Sequence, residues 1–451
     1  MNIIIVGCGR VGQSLAEKLN HDGNDVTVVD LSADKVQLLA ERYDVMGVVG
    51  NGASQSVLQE AGIEEADLLI SVTNSDELNL LCCLLAKKQG NCQTIARVKN
   101  PDYSQEAAYF KDGLGLAMII NPEYAAAEDI ARVLRFPSAI QIEPFAKGNV
   151  EIIKFKLPAD SPLVGVSVKD FMMKSHTDVI VCTIERGEEA YIANGNFVFA
   201  EKDVVSIIAS PKSANEFFIK INYKGHTVKN ALIAGGGVVT HYLCEILERS
   251  SISLKVIERT LSTCEELAAK WPKMTVIHGN ASNRELLMEE GLAQADAFVA
   301  LCGLDAENIM LSLYAKDAGC KKQITALNYI EYDGVFNRLD LDTTISFKDI
   351  TSDIILRYVR ATKNAKGSNV ETLYNLIQDK VEAAEFIIKE NSPIAGIALK
   401  DLKLKNDVLI ASISRGNEVI MPRGSDVIQT GDAVVIVSKH LALHDVADVL
   451  R

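Results

Sequence analysis

Two stretches of this chain are versions of one another. GCGRVGQSLAEKLNHDGNDVTVVD from Gly7 to Asp30 returns as GGGVVTHYLCEILERSSISLKVIE from Gly235 to Glu258, with 23 residues from first glycine to last acid in both. The match continues: GNGASQSVLQEAGIEEADLLISVTNSDELN from Gly50 to Asn79 is answered by GNASNRELLMEEGLAQADAFVALCGLDAEN from Gly279 to Asn308. A tandem repeat of this length restricts the chain to architectures built twice from one unit. A length of 451 residues suggests three or four domains, and the repeat selects four.

Within the first copy, Asn2 to Val6 is a continuous apolar run ending in glycines, Val11 to Leu19 has helical spacing, and Asp25 to Val29 is apolar again. Short apolar runs keep alternating with helical stretches through Thr94 to Val98, which predicts an α/β fold with a doubly wound, mostly parallel sheet of the Rossmann type. A helix over Glu123 to Arg135 stops before Pro137, where the ring bars continuation. From Ile140 to Lys220 the texture changes to alternating apolar and polar residues with turns at Arg186-Gly187 and Asn194-Gly195, predicting short antiparallel strands in a small α+β domain. That module also returns: Ser161-Pro162 is answered by Ser392-Pro393, and Lys169-Asp170 by Lys400-Asp401. The expected order is a Rossmann-type domain over 1–137, a small domain over 138–221, a linker over 222–229, a second Rossmann-type domain over 230–362 and a second small domain over 363–451. The polar stretch Lys363 to Asn369, after a helix Asp349 to Arg360, is expected to be a flexible connection.

Composition narrows the function. An apolar content of 48% with 24% charged residues allows several cores, and no apolar run approaches the roughly 18 to 20 residues that cross a bilayer. The first strand lacks a basic flank and a cleavage site, so the chain reads as neither exported nor embedded. A formal charge of -14 argues against a nucleic-acid partner, which normally needs a clustered basic face. Nine scattered cysteines without CxxC and seven scattered histidines suggest neither a disulfide framework nor a metal site.

Chemistry is concentrated at the glycine loops. Gly7, Gly9 and Gly12 form GxGxxG between a strand and a helix, where backbone can approach a pyrophosphate and helix N–H groups point at it. Asp30, ending the second strand, is placed to accept from ribose hydroxyls and to repel a 2'-phosphate. A dinucleotide or adenine nucleotide is the ligand this pattern suits; the alternative is that the glycines serve only close helix packing. Arg10 is a phosphate partner or a solvated helix-start residue. Thr73, Asn74 and Asp76 follow the fourth strand, where ligands collect in open parallel sheets, or else they cap a helix. Arg97 ends the next strand, within reach of a phosphate or an acidic neighbour, and its counterpart is Ala326. In the second copy Thr240 stands at the third glycine and Glu258 at Asp30, so this site reads as weaker, altered or vestigial, although Gly235, Gly236 and Gly237 still permit close backbone approach.

These residues resemble the RCK (regulator of potassium conductance) family, in the tandem form of the peripheral subunits of bacterial Trk potassium uptake systems. The resemblance covers essentially the whole chain and rests on IIIVGCGRVGQSLAEKL with TVVD, GNGAS, ADLLISVTNSDELN, IARVKNPDY, and the SPLVG and SPIAG modules. It implies a non-enzymatic, cytoplasmic regulatory subunit, peripheral on the inner face of the membrane. Four chains would form a ring of eight Rossmann domains on a membrane-embedded potassium pore subunit of the Trk type. It implies NAD(H) in the glycine-loop pocket, with ATP or ADP as competing ligands. By matching positions, Gly7, Cys8, Gly9, Arg10, Val11, Asp30, Thr73, Asn74 and Arg97 would line the first pocket, and Gly235, Gly236, Gly237, Val238, Val239 and Glu258 the second. Two other readings compete: an NAD-dependent oxidoreductase, and a ring scaffold whose nucleotide is structural. The small domains show no His, Lys or Tyr arrangement suited to proton transfer, which disfavours the enzyme.

Overall fold

The computed structural model describes all residues except numbers 102, 104–112, 137–138, 146–149, 176, 188, 222–227, 249, 329–338, 340, 366–369, 378–379, 417, 440–442 and 444. The expected linker core, the end of the expected connection at 366–369, Pro137, and His176, His226, His440 and His444 therefore lie outside the described residues.

The first sheet is built from β1 (Asn2–Val6), β2 (Asp25–Asp30), β3 (Met46–Val49), β4 (Leu68–Ser71), β5 (Gln93–Arg97) and β6 (Met118–Ile120), in the order 3-2-1-4-5-6 and all parallel. Helices α1 (Arg10–His21), α2 (Ala33–Tyr43), α3 (Gln55–Glu60), α4 (Asp76–Gln89) and α5 (Pro122–Arg135) follow in sequence. Ile3, Ile4, Ile5 and Val6 are all buried, the unbroken apolar pattern of a strand covered on both faces. The strand order reverses between β1 and β4, so the crevice at their carboxyl ends is the ligand position of this topology.

A five-stranded antiparallel sheet follows: β7 (Ala139–Phe145), β8 (Val150–Lys156), β9 (Val179–Arg186), β10 (Glu189–Ile192) and β11 (Val204–Ala209), with α6 (Val168–Ser175) and α7 (Pro211–Lys220). The second parallel sheet contains β12 (Asn230–Ala234), β13 (Ser253–Glu258), β14 (Thr275–His278), β15 (Ala297–Ala300), β16 (Lys322–Leu327) and β17 (Thr343–Ser346), in the same winding as the first. Its helices are α8 (Val238–Leu247), α9 (Leu261–Lys270), α10 (Arg284–Glu289), α11 (Asp305–Asp317) and α12 (Phe347–Ala365). The last sheet is β18 (Val370–Ile377), β19 (Val381–Ile387), β20 (Val408–Arg415), β21 (Glu418–Ile420) and β22 (Ala433–Ser438), again antiparallel. The architecture is thus two Rossmann-type parallel sheets, each followed by a small antiparallel sheet. No described helix is long and apolar enough to cross a membrane.

One expectation from sequence needs correction. The polar stretch beginning at Lys363 does not start a flexible connection: α12 runs through Ala365, because Ala361, Lys363 and Ala365 are good helix formers that extend the turn. Lys400-Asp401 keeps the backbone frame of Lys169-Asp170, the N–H groups of Lys169 and Lys400 donating to the Gly195 and Gly424 carbonyls at 2.9 Å each, but not its helix. In the first module Ser167 accepts from the Asp170 N–H at 3.1 Å and starts α6, whereas Ala398 stands at the equivalent position and only a single 3-10 turn, Leu399–Asp401, forms. Without the capping hydroxyl the chain extends, and the Lys405 N–H donates to the Val449 carbonyl at 2.8 Å.

The chain folds into two compact units that interleave in sequence, Met1–Ala131 with Val228–Leu356, and Arg132–Thr227 with Arg357–Arg451. In the first unit the two parallel-sheet halves meet through α1 and α12, where the Ser352 hydroxyl donates to Ser14 at 3.0 Å and Lys18 reaches Asp353 at 3.1 Å. They also meet at Tyr242, whose ring packs edge-on against Tyr124 and whose hydroxyl accepts from Asn121 at 2.8 Å and donates to the Lys99 carbonyl at 3.2 Å. In the second unit the two antiparallel sheets share one core, in which Ile152, Cys182 and Ile208 pack with Ala383, Ala411 and Val437.

Candidate functional site

The first glycine loop is shaped by three different constraints. Gly7 has φ +106, a conformation L side chains rarely adopt, and a β-carbon there would press on the backbone of Val72 and Thr73 at 3.0 Å. Gly9 caps α1 with open space around it. A β-carbon at Gly12 would run into the carbonyl oxygen of Gly7, so the helix can approach the strand only because position 12 is bare. The backbone amides at the start of α1 consequently sit at the end of β1 with nothing from position 9 in front of them, the arrangement that receives a phosphate.

Asp30 closes the loop from the side. Its Oδ2 accepts from the Cys8 N–H at 2.7 Å and its Oδ1 from the Ser32 N–H at 2.9 Å. Each oxygen retains acceptor capacity for a ribose hydroxyl, since a carboxylate has about four lone-pair sites. Cys8 is fully buried, and burial with the neighbouring Asp30 charge pushes its thiol up to about 12, so it is a neutral packing group and not a nucleophile. Val11 lies in the first turn of α1, and the Arg10 guanidinium reaches the carbonyl of Asn328 at 3.5 Å within the same unit.

On the β4 side the residues picked from sequence also make contacts within the fold. Thr73 is tied back into the fold: its N–H and hydroxyl donate to Asn79 Oδ1 at 2.8 and 2.7 Å. Asn74 is exposed at the tip. Asp76 does not face the crevice; it is 5% exposed and accepts from the N–H groups of Lys99 and Asn100 at 3.0 and 2.9 Å, fixing the segment after β5. Arg97 pairs with Glu123 at 3.1 Å, both side chains largely buried, while Arg97 Nε has no protein acceptor.

The residue that organises this side is Asn79, which sequence inspection passed over. It is 0% exposed, accepts additionally from the Ser71 hydroxyl at 3.0 Å, and donates to the carbonyls of Thr73 and Arg97 at 3.2 and 2.8 Å. One amide thus joins the ends of β4 and β5. Its copy Asn308 accepts from the Cys302 N–H at 2.7 Å and donates to Cys302 and Ala326 at 2.9 Å each. The signal was present in the repeat as an acid followed three residues later by Asn, Asp76 with Asn79 and Asp305 with Asn308.

The second loop keeps the frame and changes the surroundings. Gly235 has φ +107, and a β-carbon there would meet the Leu301 carbonyl at 2.6 Å. Gly237 caps α8 in open space, followed by Val238 and Val239. Glu258 Oε2 accepts from the Gly236 N–H at 2.8 Å and Oε1 from the Thr260 N–H at 2.7 Å, reproducing the Asp30 geometry with a longer acid. Burial would raise the Glu258 carboxyl, but these amide bonds outweigh it and hold the group below its ordinary range. Thr240, at the close-packing position, is 0% exposed and donates its hydroxyl to the Gly235 carbonyl at 2.7 Å.

Paired glycine loops with an acid braced against each, at the switch points of two tandem Rossmann sheets that alternate with small antiparallel domains, define a protein of the duplicated Rossmann-type class. The TrkA-N domain model matches residues 3–122 and 231–347, and the TrkA-C domain model matches 152–221 and 383–451. The chain is 32% identical over 443 residues to the Trk system potassium uptake protein TrkA of Halomonas elongata, covering 97% of this chain and 95% of the relative. It is 30% identical over 453 residues to the TrkA homolog of Archaeoglobus fulgidus, with 100% of each covered. The solved GsuK channel bound to NAD has the same fold, with a TM-score of 0.64 at 16% identity, covering 97% of this chain and 76% of that one. The chain belongs to the TrkA family of potassium uptake proteins, which are not enzymes. That membership removes the oxidoreductase alternative.

Proposed function

We propose that this chain is the cytoplasmic gating subunit of a Trk-type potassium uptake system, sensing NAD(H) against ATP or ADP and setting potassium flux through a membrane-embedded pore subunit. The observation that carries the reading is the braced acid beside the glycine loop: Asp30, fixed by the Cys8 and Ser32 amides, presents its remaining lone pairs where a ribose would lie. NAD(H), ATP and ADP share that ribose, so all compete for one position. Gly7, Cys8, Gly9, Arg10 and Val11 provide the phosphate side of the first pocket, and Thr73, Asn74 and Arg97 its far wall. Gly235, Gly236, Gly237, Val238, Val239 and Glu258 form the second pocket. The domains are assigned as 1–137, 138–221, 230–362 and 363–451, joined at 222–229.

Four chains would place eight Rossmann domains in a ring, peripheral on the inner face of the membrane. Ligand acts there by differential affinity, since it shifts the ring only to the extent that it binds one ring state better than the other. The NAD-bound channel of the same fold supports the ligand class, and the family supports the transport role. The test is potassium flux through the cognate pore subunit in liposomes, with the purified chain and each nucleotide in turn. Opposite effects of NADH and ATP, both abolished by Asp30→Ala, are expected. Flux unchanged by every nucleotide would defeat the proposal and leave a scaffold.

A further inference from the structure

The helix that follows each glycine loop packs on the last helix of the other parallel-sheet half. On one side α1 meets α12: the Ser352 hydroxyl donates to Ser14 at 3.0 Å, both side chains buried, and Lys18 reaches Asp353 at 3.1 Å and Asp349 at 3.8 Å. On the other side α8 meets α5: the Tyr242 hydroxyl accepts from Asn121 at 2.8 Å, and its ring packs edge-on against Tyr124 with centroids 5.3 Å apart. Ser14 and Tyr242 hold the same place in the repeat, each seven residues after the first glycine of its loop. Within one half the route is less direct, since α1 packs on β1 and β2, whereas α5 follows β6, which β4 and β5 separate from β1.

α5 and α12 are also the helices through which the chain passes from the first compact unit to the second, the boundaries falling after Ala131 and Leu356. Past its boundary α12 packs on the second small sheet, with the Arg357 guanidinium 4.4 Å from the centre of the Tyr374 ring of β18. Past its own boundary α5 serves the first small sheet: Arg132 and Arg135 hold their charges beside the buried Glu151 of β8, and Phe136 packs against that domain's core.

We infer that ligand coupling in this chain is crossed: a nucleotide in the first pocket acts through α1 and α12 on the second small domain, and one in the second pocket acts through α8 and α5 on the first. The inference rests on the nucleotide reading given above. A phosphate at the start of α1 fixes that helix, and close-packed helices pass a displacement on to the neighbour they touch.

Hydrogen exchange of the full chain, read by mass spectrometry with and without NADH, tests it. Glu258→Ala silences the second pocket, so that NADH acts at the first alone. NADH is then expected to slow exchange at least about fivefold in residues 7–14, in α12 and in β18 to β22, leaving α5 and β7 to β11 unchanged. Adding Ser14→Ala and Lys18→Ala, which lie outside the loop, should keep the protection of the loop and remove that of α12 and β18 to β22. Slowed exchange in α5 and β7 to β11 with α12 unchanged overturns the inference, as does protection of α12 that survives the loss of Ser14 and Lys18. Should Glu258→Ala unfold, Ser14→Ala with Lys18→Ala in the otherwise native chain gives the same comparison, because only the α1 contact is removed. No slowing in the first loop of the native chain defeats the nucleotide reading itself, and the inference falls with it.

Discussion

Replacing Asn79 by alanine should be among the most damaging single changes available in the first Rossmann domain. The side chain is 0% exposed and serves the Thr73 N–H at 2.8 Å, the Thr73 carbonyl at 3.2 Å, the Arg97 carbonyl at 2.8 Å and the Ser71 hydroxyl at 3.0 Å. A buried polar group stripped of its partner costs about 1–3 kcal/mol. The backbone groups of Thr73 and Arg97 alone would then sum to roughly 3–9 kcal/mol if nothing replaced the amide. Water entering the polar cavity recovers part of this, leaving about 3–5 kcal/mol. Against a domain stability of about 5–15 kcal/mol that is a large fraction. Asn308→Ala in the second copy should cost less, because Asn308 serves only backbone groups of Cys302 and Ala326 and supports no hydroxyls. The assay is urea unfolding of the full chain followed by far-ultraviolet circular dichroism, with each variant compared through midpoint and slope. A shift below about 1 kcal/mol for Asn79→Ala would mean that the amide network does not hold the β4 and β5 ends together. Asn79→Asp should be no rescue, since it sets a carboxylate oxygen against the Thr73 and Arg97 carbonyls.

Gly12→Ala should lower stability by about 1–3 kcal/mol, the usual cost of overpacking, and should abolish NADH binding at the first pocket, because the new methyl displaces the Gly7 carbonyl and with it the loop; intact binding in a calorimetric titration would contradict this. The Glu258 carboxyl is held below its ordinary range, so the stability it contributes is present above the unfolded value of about 4.3 and is lost as pH falls through the lower folded value. Glu258→Gln should therefore flatten the acid limb of a melting-temperature profile, and an unchanged limb would remove the group from that role. Cys8, buried with its thiol pushed up to about 12, should resist iodoacetamide at pH 8 until the chain unfolds, and rapid native-state labelling read by mass spectrometry would show that the loop opens far more often than its packing implies.

Glycine spacing and an acid at a fixed distance are local, so the duplication, the parallel sheets and the positions of Gly7, Asp30, Gly235 and Glu258 were legible in the sequence. The roles of Thr73, Asp76 and Arg97 were less so: all three occur where ligands collect, but which way each is recruited depends on Asn79, on the amides of Lys99 and Asn100, and on Glu123. Residues that cap, brace or bind ligand are drawn from the same small polar set, and periodicity reports burial without reporting the partner.

The repeat and its two glycine loops, then, were determined by sequence alone, because backbone sterics at a tight strand-to-helix turn admit so few residues. Tertiary structure decided how Thr240 is tolerated, with its hydroxyl satisfied by the Gly235 carbonyl, and how chain-distant halves combine, with Ser14 meeting Ser352 and Tyr242 meeting Asn121. Those choices rest on hydrogen bonds and packing between residues far apart in sequence, each available only after both halves have folded.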